Sequence, residues 1–325
     1  MRILVIGGAG YIGSHVVRRL LDRHHEVTVF DNLSTGTEEN LFPEARFIRG
    51  DILNPKELTG AVTEEGYDGA VHLAAFKAAG ESMVKPEKYS VNNITGTINI
   101  LNAVCKSEIP LFLFSGSAAI YGNPKYLPID ENHPTEPENF YGFTKLEIER
   151  LLSWYSKLKG IRYAVLRYFN AAGYDPGGRV KGLEKNPANL LPVILEVAAG
   201  KRKLLKIFGN DYTTKDGTGV RDYIHVTDLA EAHLLALEHL RDHKENLTLN
   251  LGSEAGYSVL EILDTAREVT GKPIPAEIVP RREGDPAKLV ASANRARQML
   301  GWKAQHSDPY SLVKTAWDVY TATNQ

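Results

Sequence analysis

Cysteine is the scarcest residue type in this chain of 325 residues, which contains only Cys105. A single thiol cannot form an intrachain disulfide or a four-cysteine metal site, and it predicts a reducing, cytoplasmic location. Long apolar runs are also missing, which argues against a transmembrane helix. The apolar run in residues 1–6 is too short for a signal peptide and is followed at once by glycines, so it predicts a first buried strand.

No charge of one sign dominates, since 38 Lys and Arg stand against 40 Asp and Glu and the net charge is −2. This balance predicts neither a nucleic acid nor an anionic membrane as partner. The histidines form no pair at a spacing that supports a metal site, so none is predicted. The length fits one large domain with a smaller lobe.

Short apolar segments alternate with amphipathic ones in the first half of the chain. The predicted strands are 3–6, 26–30, 46–49, 69–73, 111–115 and 163–167. The predicted helices lie near 12–23, 55–64, 86–106 and 142–159. Continuous apolar strands separated by helices indicate a parallel sheet covered on both faces. We therefore predict an α/β fold with a doubly wound parallel (Rossmann) sheet.

The composition changes after residue 167. Residues 170–220 are rich in Gly, Asn, Pro and Lys around a helix-like segment at 190–199, which suits a loop-heavy lobe. Further strands at 222–225 and 247–251 and helices at 226–243, 260–269 and 294–300 are predicted. The predicted organisation is a Rossmann domain at 1–169, to which 221–251 returns, and a smaller, discontinuous α/β lobe for substrate at 170–325.

The glycine-rich segment 7–13, which reads GGAGYIG, follows the first predicted strand and opens a helix. Glycines such as Gly7, Gly10 and Gly13 allow a tight turn, close approach of the backbone to a pyrophosphate and close helix–strand packing. The helix N-terminus adds free N–H groups and the positive end of its dipole. The motif in this context predicts a dinucleotide site rather than an ordinary tight turn.

Acidic residues follow the second and third predicted strands. The Asp31 carboxylate can accept hydrogen bonds from ribose hydroxyls and would repel a 2′-phosphate, which favours NAD over NADP. The alternative for Asp31 is a strand-end turn residue, and Asn32 beside it offers a further polar contact. Two interpretations of Asp51 stay open, a contact near the adenine or a cap on the helix that begins near Pro55.

Residues 141–145 have the form YxxxK at the start of a predicted helix. Residues four apart share a helix face, so the Lys145 ammonium can lie near the Tyr141 phenol and lower its pKa. Such a phenol can serve as a general base. Ser117 follows a strand at the carboxyl edge of the sheet, where ligands of α/β proteins bind, and its hydroxyl can bond to substrate and phenol.

Taken together, these motifs resemble those of the extended short-chain dehydrogenase/reductases, and within them the UDP-galactose 4-epimerase branch. The resemblance runs almost end to end. Its segments are 7–15, 31–33, 77–82, 115–122, 141–145, 167–170, 208–212, 216–226 and 281–285. The family usually carries Ser-Ser-Ser or Ser-Ser-Thr where this chain has Ser115, Gly116 and Ser117, so Ser117 is expected to supply the essential hydroxyl.

The resemblance implies an activity and a set of site residues. The expected reaction is reversible C4 epimerisation of UDP-galactose and UDP-glucose through a 4-keto intermediate with tightly bound NAD, in a homodimer built from helices near 92–106 and 142–159. Catalysis would involve Tyr141, Lys145 and Ser117. The residues lining NAD would include Tyr11, Ile12, Asp31, Asn32, Asp51, Ile52, Phe76, Lys77, Asn92, Tyr141, Lys145 and Tyr168. The UDP-sugar would meet Lys77, Ser117, Tyr141, Asn170, Asn189, Leu190, Phe208, Arg221, Arg282 and Asp285.

The resemblance further assigns Leu289 to one wall of the hexose pocket, a few positions after Asp285. Relatives with Tyr at this wall are limited to plain hexoses, whereas a smaller residue leaves room for a 2-acetamido group. Leu is shorter than Tyr but larger than Cys or Ser. The resulting hypothesis is that N-acetylated UDP-hexosamines are interconverted as well.

Other functions are also compatible with the motifs. Another NAD-dependent nucleotide-sugar epimerase, a dehydratase or a decarboxylase is the main alternative. Dehydratases and UDP-xylose synthases carry acids just after the strand-end hydroxyl, where this chain has Ala118 and Ala119. A non-catalytic dinucleotide sensor is disfavoured because such proteins tend to lack the Tyr–Lys pair.

Overall fold

The computed structural model describes residues 1–63, 66–185, 187–282 and 284–322. Glu64 of the predicted helix 55–64, Glu283 of segment 281–285 and the end of the predicted lobe at 323–325 lie outside the described residues. The chain forms two compact units. The first unit consists of Met1–Gly122, Pro134–Arg167 and Ala230–Leu249, and the second of Asn123–His133, Tyr168–Leu229 and Asn250–Gln325.

In the first half of the chain the strands and helices follow the predicted pattern closely, whereas the helix Pro309–Ala322 and the strands Leu205–Phe208, Tyr257–Ser258, Ala276–Val279 and Lys288–Leu289 were not predicted. The strands are β1 Arg2–Ile6, β2 Glu26–Asp31, β3 Arg46–Arg49, β4 Gly69–His72, β5 Leu111–Ser117, β6 Arg162–Tyr168, β7 Asn170–Ala172, β8 Leu205–Phe208, β9 Val220–Arg221, β10 Tyr223–His225, β11 Leu247–Leu251, β12 Tyr257–Ser258, β13 Ala276–Val279 and β14 Lys288–Leu289. The helices are α1 Tyr11–Asp22, α2 Pro55–Thr63, α3 Ala79–Ser82, α4 Pro86–Tyr89, α5 Gly96–Lys106, α6 Phe140–Lys159, α7 Leu190–Ala198, α8 Val226–Asp242, α9 Val259–Thr270, α10 Asn294–Leu300 and α11 Pro309–Ala322.

The central sheet has seven strands in the order β11-β6-β5-β4-β1-β2-β3. The pairs from β3 to β5 are parallel, and their register sets Val5 opposite both Val29 and Val71, with Leu113 next to Val71. The strand order reverses between β1 and β4, which is the point where ligands of doubly wound sheets bind. The predicted α/β fold class is confirmed.

An apolar core supports one face of this sheet. Side chains from β1, β2 and β5 pack with those of α2, α5 and α6. Leu4, Phe30, Ile100, Phe112 and Leu152 are all completely buried within it. Both ends of α6 are capped, the first by the Asn139 side chain and the last by left-handed Gly160. The start of this helix, which carries the YxxxK motif, is therefore fixed.

The second unit has three small sheets and a helical layer. Its sheets are β7 with β10, β8 with β13, and the three strands β12-β9-β14. Helices α7, α9 and α11 pack against one another. A capping box between Ser258 and Glu261 fixes the start of α9. No helix within the described part of the chain combines the length and apolar character that crossing a bilayer requires.

The predicted helix 86–106 differs from the structure in one respect. A π-helical segment, Ser90–Thr95, separates α4 from α5. Such a segment keeps the chain helical and preserves an apolar face, so the sequence pattern does not reveal it. The π segment carries Asn92 and Asn93, and π segments occur often at functional sites.

Candidate functional site

The glycine-rich turn between β1 and α1 is formed by close backbone packing. Gly7 has φ of +86°, and a Cβ there would lie 2.6 Å from the Ala74 backbone nitrogen. A Cβ on Gly13 would lie 2.1 Å from the Gly7 carbonyl oxygen. The turn therefore requires glycine at both positions, and it leaves room that side chains would otherwise fill. This is the cradle that a dinucleotide pyrophosphate needs.

Asp31 holds the glycine-rich turn and the segment after β2 together. Its carboxylate accepts hydrogen bonds from the backbone N–H groups of Ala9 at 3.0 Å and Leu33 at 2.8 Å. Burial raises the pKa of Asp31, and these two hydrogen bonds oppose the shift. A carboxylate has about four acceptor positions, so the Asp31 side chain can still accept from ribose hydroxyls.

Asp51 lies next to Asn32 and does not cap the helix α2. Asn32 donates to the Asp51 carboxylate at 3.0 Å, and that carboxylate also accepts from the Leu53 backbone at 2.8 Å. The residue directly before α2 is Asn54, whose side chain accepts from the Lys56 backbone at 3.2 Å. The helix-cap interpretation of Asp51 is therefore wrong, whereas the adenine contact stays a prediction.

A cavity in the first unit follows the switch point of the sheet. Its lining residues are Gly7, Gly10, Phe30, Asp31, Asn32, Ser34, Thr35, Gly50, Ile52, Leu73, Ala74, Ala75, Phe76 and Asn92. Seven of them are predicted cofactor residues. Ser34, Thr35 and the residues before Phe76 were missed, although they continue predicted segments. The other predicted cofactor residues are not among the described residues of this lining. They are Tyr11, Ile12, Gly13, Asp51, Lys77, Tyr141, Lys145 and Tyr168.

Asn93 links the loop after β4 to the start of α6. Its side chain accepts from the Phe76 N–H and donates to the Phe76 carbonyl, both at 3.0 Å. It also donates to the Thr144 hydroxyl at 3.2 Å, which donates in turn to the Tyr141 carbonyl at 2.8 Å. The sequence analysis missed Asn93, because only the fold places it beside residues so distant in the chain. Lys77, one residue further, has its ammonium 5.9 Å from the Tyr11 ring centroid.

Lys145 is buried against the end of β5. Its ammonium donates to the Ser115 carbonyl at 2.8 Å and to the Ser115 hydroxyl at 3.2 Å. It lies 4.6 Å from the centroid of the Phe114 ring and 5.8 Å from that of Tyr141. Burial lowers the pKa of Lys145 to about 7, and the charge of Glu149 opposes this shift. The sequence analysis did not predict that Ser115 fixes the Lys145 side chain.

Tyr141 lies in the first turn of α6, with its backbone N–H donating to the Ser82 hydroxyl at 3.0 Å. Burial raises the pKa of the Tyr141 phenol, whereas its hydrogen bond with Ser117 lowers it. The Ser117 hydroxyl also accepts from the Ala119 backbone at 3.2 Å. The structure thus brings Ser117, Tyr141 and Lys145 together, in an arrangement suited to proton transfer.

Gly116 has no room for the hydroxyl that the family usually carries there. A Cβ at this position would lie 2.9 Å from both the Leu166 carbonyl oxygen and the Val165 side chain, and 3.1 Å from Arg167 Cγ. The neighbouring strand β6 therefore occupies the space. The hydroxyls of Ser115 and Ser117 remain, one on Lys145 and one on Tyr141.

The second unit contains a cavity of about 610 Å³. It brings together seven predicted substrate residues, namely Asn170, Asn189, Leu190, Phe208, Arg221, Arg282 and Asp285. Leu289 does not occur among the described residues that line it. The sequence analysis missed Arg202, Tyr212 and Tyr223, which also line the cavity. Tyr212 and Tyr223 lie inside segments of the resemblance, which was the signal that could have identified them.

Charged and aromatic side chains share this cavity. The Arg282 guanidinium lies 3.8 Å from the centroid of the Phe208 ring. Arg281, which is not among the described lining residues, lies 4.0 Å from the centroid of the Tyr212 ring. Arg221 pairs with Asp285. Guanidinium groups match the geometry of phosphate oxygens, and an aromatic face can stack on a flat base. The cavity can therefore hold a molecule that contains both.

A buried carboxylate fixes the strand that carries Arg221. Asp222 is completely buried and accepts hydrogen bonds from Ser253, Glu254 and Ala291. Its own N–H donates to the Leu289 carbonyl at 2.9 Å, and Leu289 on β14 is in register with Arg221 on β9. Leu289 is thus held beside a cavity residue.

Comparisons with known proteins agree with this site. The NAD dependent epimerase/dehydratase family matches residues 3–252. A UDP-glucose 4-epimerase of Lacticaseibacillus casei is 48% identical over 98% of this chain and 96% of its own length. A crystal structure of a UDP-glucose 4-epimerase, 42% identical, covers 100% of this chain and 99% of its own with a TM-score of 0.97.

A further solved structure is the UDP-glucose 4-epimerase from Bifidobacterium longum in complex with NAD⁺ and UDP. It is 37% identical, covers 100% of this chain and 99% of its own, and has a TM-score of 0.94. Full-length identity of this size, together with the glycine turn and the Tyr–Lys pair, settles the relationship. The chain belongs to the UDP-glucose 4-epimerases of the NAD dependent epimerase/dehydratase family.

Proposed function

We propose that this protein interconverts UDP-galactose and UDP-glucose by reversible oxidation at C4 of the hexose, with Tyr141 as the acid–base residue. The observation that carries the assignment is the group formed by Ser117, Tyr141 and the buried Lys145 at the carboxyl end of β5. A phenol next to a buried ammonium can take up and return a proton near neutral pH.

Each of these three residues has its own role in the reaction. Tyr141 removes the proton of the C4 hydroxyl and returns one after the sugar has turned over. Ser117 holds the phenol by a hydrogen bond and orients the substrate hydroxyl. Lys145, fixed by Ser115, supplies the positive charge that favours the phenolate. NAD, when bound, accepts the C4 hydride and gives it back.

The first unit is the proposed NAD-binding part. Gly7, Gly10 and Gly13 leave space for the pyrophosphate, and the start of α1 provides its N–H groups. The Asp31 carboxylate takes the ribose hydroxyls and disfavours a 2′-phosphate. The remaining NAD contacts proposed in this unit are Tyr11, Ile12, Asn32, Asp51, Ile52, Phe76, Lys77, Asn92, Tyr141 and Lys145. Tyr168, which is also proposed to contact NAD, belongs to the second unit.

The second unit is the proposed binding part for the UDP group. Arg221 and Arg282 suit the pyrophosphate, Phe208 suits the uracil ring, and Asp285 suits the ribose hydroxyls. Asn170, Asn189 and Leu190 complete the cavity. Arg221 is paired with Asp285 in this structure, so binding of the phosphate requires Arg221 to exchange this partner and leaves the Asp285 carboxylate to accept hydrogen bonds from the ribose hydroxyls.

The alternative reactions lack the groups that they require. A 4,6-dehydratase needs a second acid–base pair directly after the strand-end hydroxyl. Ala118 and Ala119 occupy these positions, in a short turn that follows Ser117. Without a carboxylate there, removal of a C5 proton has no base at the expected place, and epimerisation is favoured.

The decisive experiment is incubation of purified protein with UDP-galactose without added NAD. We expect UDP-glucose as the product, because a cofactor that is regenerated in each cycle stays bound. The bound cofactor, extracted from denatured protein, should be NAD rather than NADP. A 4-keto-6-deoxy product, or no product even with NAD supplied, would refute the proposed function.

We further propose that the N-acetylated UDP-hexosamines are substrates. Leu289 is smaller than Tyr, and its strand is held next to Arg221 through Asp222. Leu289→Tyr should lower turnover of UDP-N-acetylglucosamine by about 5- to 150-fold relative to UDP-glucose, since overpacking typically costs about 1–3 kcal/mol. Side-by-side assays of wild type and variant on both substrates test this. Equal handling of the acetylated sugar by both proteins would remove Leu289 as the determinant.

A homodimer in the cytoplasm is also proposed. Phe143, Trp154 and Leu158 are exposed apolar side chains of α6, with 39%, 58% and 68% of their surfaces accessible. At 3.6 residues per turn they fall within about 60° of one helix face. Such a stripe suits a helix–helix contact with a second copy, and the single cysteine suits a reducing compartment.

A further inference from the structure

A buried ion pair joins α6 to β6 and has no role in the mechanism above. The Arg167 guanidinium binds the Glu149 carboxylate through two hydrogen bonds, of 3.1 Å from Nε and 2.7 Å from Nη2. The side chains of Arg167 and Glu149 are only 9% and 10% exposed. Arg167 also donates to the Tyr121 hydroxyl at 2.8 Å. Each of the three guanidinium nitrogens of Arg167 therefore donates to a neighbouring side chain.

The pair is attached to each element that carries a catalytic side chain. Glu149 lies on α6 four residues after Lys145, which is itself four residues after Tyr141, so the three share one helix face. Arg167 lies on β6 and packs past Gly116, where a Cβ would be 3.1 Å from its Cγ. Tyr121 follows the short turn that begins at Ser117.

We propose that Glu149, held by Arg167 one helical turn from Lys145, is a positioning residue whose carboxylate supports the Lys145 ammonium for proton transfer at Tyr141. The inference rests on the proposed function, because it takes Lys145 and Tyr141 as the proton-transfer pair. A carboxylate one helical turn away stabilises the ammonium. Its own charge is compensated by Arg167, whose hydrogen bonds to Glu149 raise the arginine pKa although burial opposes this.

The other charged and titratable groups around Lys145 do not supply this stabilisation. His72 on β4 is completely buried, and burial together with the charge of Lys145 lowers its pKa to about 3, so it is neutral near pH 7. Burial raises the pKa of the Tyr163 phenol on β6, so this side chain carries no charge near neutral pH. Tyr141 is the partner in the reaction. Glu149 is thus the only group in this set whose charge opposes the burial of Lys145.

The sign of the expected effect follows from the charges. Removing a fixed negative charge makes every nearby proton easier to lose, so Glu149→Gln should move the pH profile of kcat to lower pH. Arg167→Gln leaves Glu149 uncompensated and should move the profile to higher pH. Each shift should be on the order of one pH unit, the scale for a neighbouring charge. The double variant should return the profile towards that of wild type.

Matched controls separate charge from structure. Glu149→Asp keeps the charge and should keep the profile, even where turnover falls. Glu147→Gln removes a charge from the same helix, but Glu147 pairs with a largely exposed arginine, Arg150, so the profile should not move. Unfolding midpoints measured for every variant show which ones are folded. If Arg167→Gln does not fold, the comparison of Glu149→Gln with Glu149→Asp still decides.

The outcomes distinguish this inference from the proposed function. Wild type without epimerase activity would refute the proposed function itself. An active wild type whose pH profile is unchanged in folded Glu149→Gln, or changed equally in Glu149→Asp, would refute the charge-setting role alone. Opposite shifts in the two single variants, with restoration in the double variant, are the result that a purely structural ion pair cannot produce.

Discussion

Tyr141→Phe is expected to lower turnover by roughly 10²–10⁴, the range found when a positioned acid–base group is removed. The ring keeps its place in the first turn of α6, whose start is capped by Asn139. Within the described part of the chain the phenol has one hydrogen bond, to Ser117, so folding should be little affected. Turnover of UDP-galactose measures the loss, and NAD extracted from the denatured variant should equal that of wild type.

Tyr155→Phe provides the matched control for this prediction. Tyr155 also lies on α6, and its hydroxyl donates to the Asn102 side chain at 2.7 Å. Its removal should leave turnover within about twofold of wild type, because a half-exposed hydrogen bond contributes little. Near-normal activity of Tyr141→Phe would remove Tyr141 from the mechanism. Equal losses in both variants would point instead to general damage to α6.

Gly13→Ala should abolish NAD retention and lower stability. The added Cβ would lie 2.1 Å from the Gly7 carbonyl oxygen and 2.9 Å from Gly8 Cα, and both of these atoms belong to backbone. No side chain can move aside, so α1 must shift away from the turn that forms the pyrophosphate cradle. We expect the free energy of unfolding to fall by about 1–3 kcal/mol or more.

Gly60→Ala is the corresponding control, because nothing lies within 4 Å of a Cβ at that position of α2. Alanine in a helix is more favourable than glycine by about 0.5–1 kcal/mol, so this variant should be slightly more stable. Denaturant unfolding and the NAD content of the purified proteins measure both variants. A Gly13→Ala protein that retains NAD would show that the cradle can open without loss of binding.

The predictable parts of the fold are those that the sequence encodes locally. Apolar runs located β1 to β6 within one or two residues, because parallel strands buried on both faces leave a continuous apolar signal. The YxxxK spacing predicted that Tyr141 and Lys145 share a helix face. The π segment Ser90–Thr95 was not predictable, since it interrupts the hydrogen-bond pattern without changing the apolar character of the helix.

Contacts between distant residues were beyond sequence reasoning. The sequence indicated Arg167 only as part of the segment 167–170. Its hydrogen bond to Glu149 depends on how α6 packs on β6. Asp222 lies in a recognised segment, yet its four hydrogen bonds come from loops that only the fold brings together. The resemblance assigned Leu289 to a wall of the hexose pocket, and in the structure Leu289 lies on β14 in register with Arg221. Roles could be carried over from a resemblance, but not the side chains that hold those residues in place.

The division of the chain between the two units has a consequence for biosynthesis. Each unit is assembled from separate stretches, and the edge strand β11 of the central sheet is formed by Leu247–Leu251. A ribosome makes the chain at about 5–20 residues per second, and domains fold as their residues emerge. The edge of β6 therefore stays unpaired while the second unit's Tyr168–Leu229 is being made. During that interval of several seconds the exposed strand is a site for chaperone binding or aggregation.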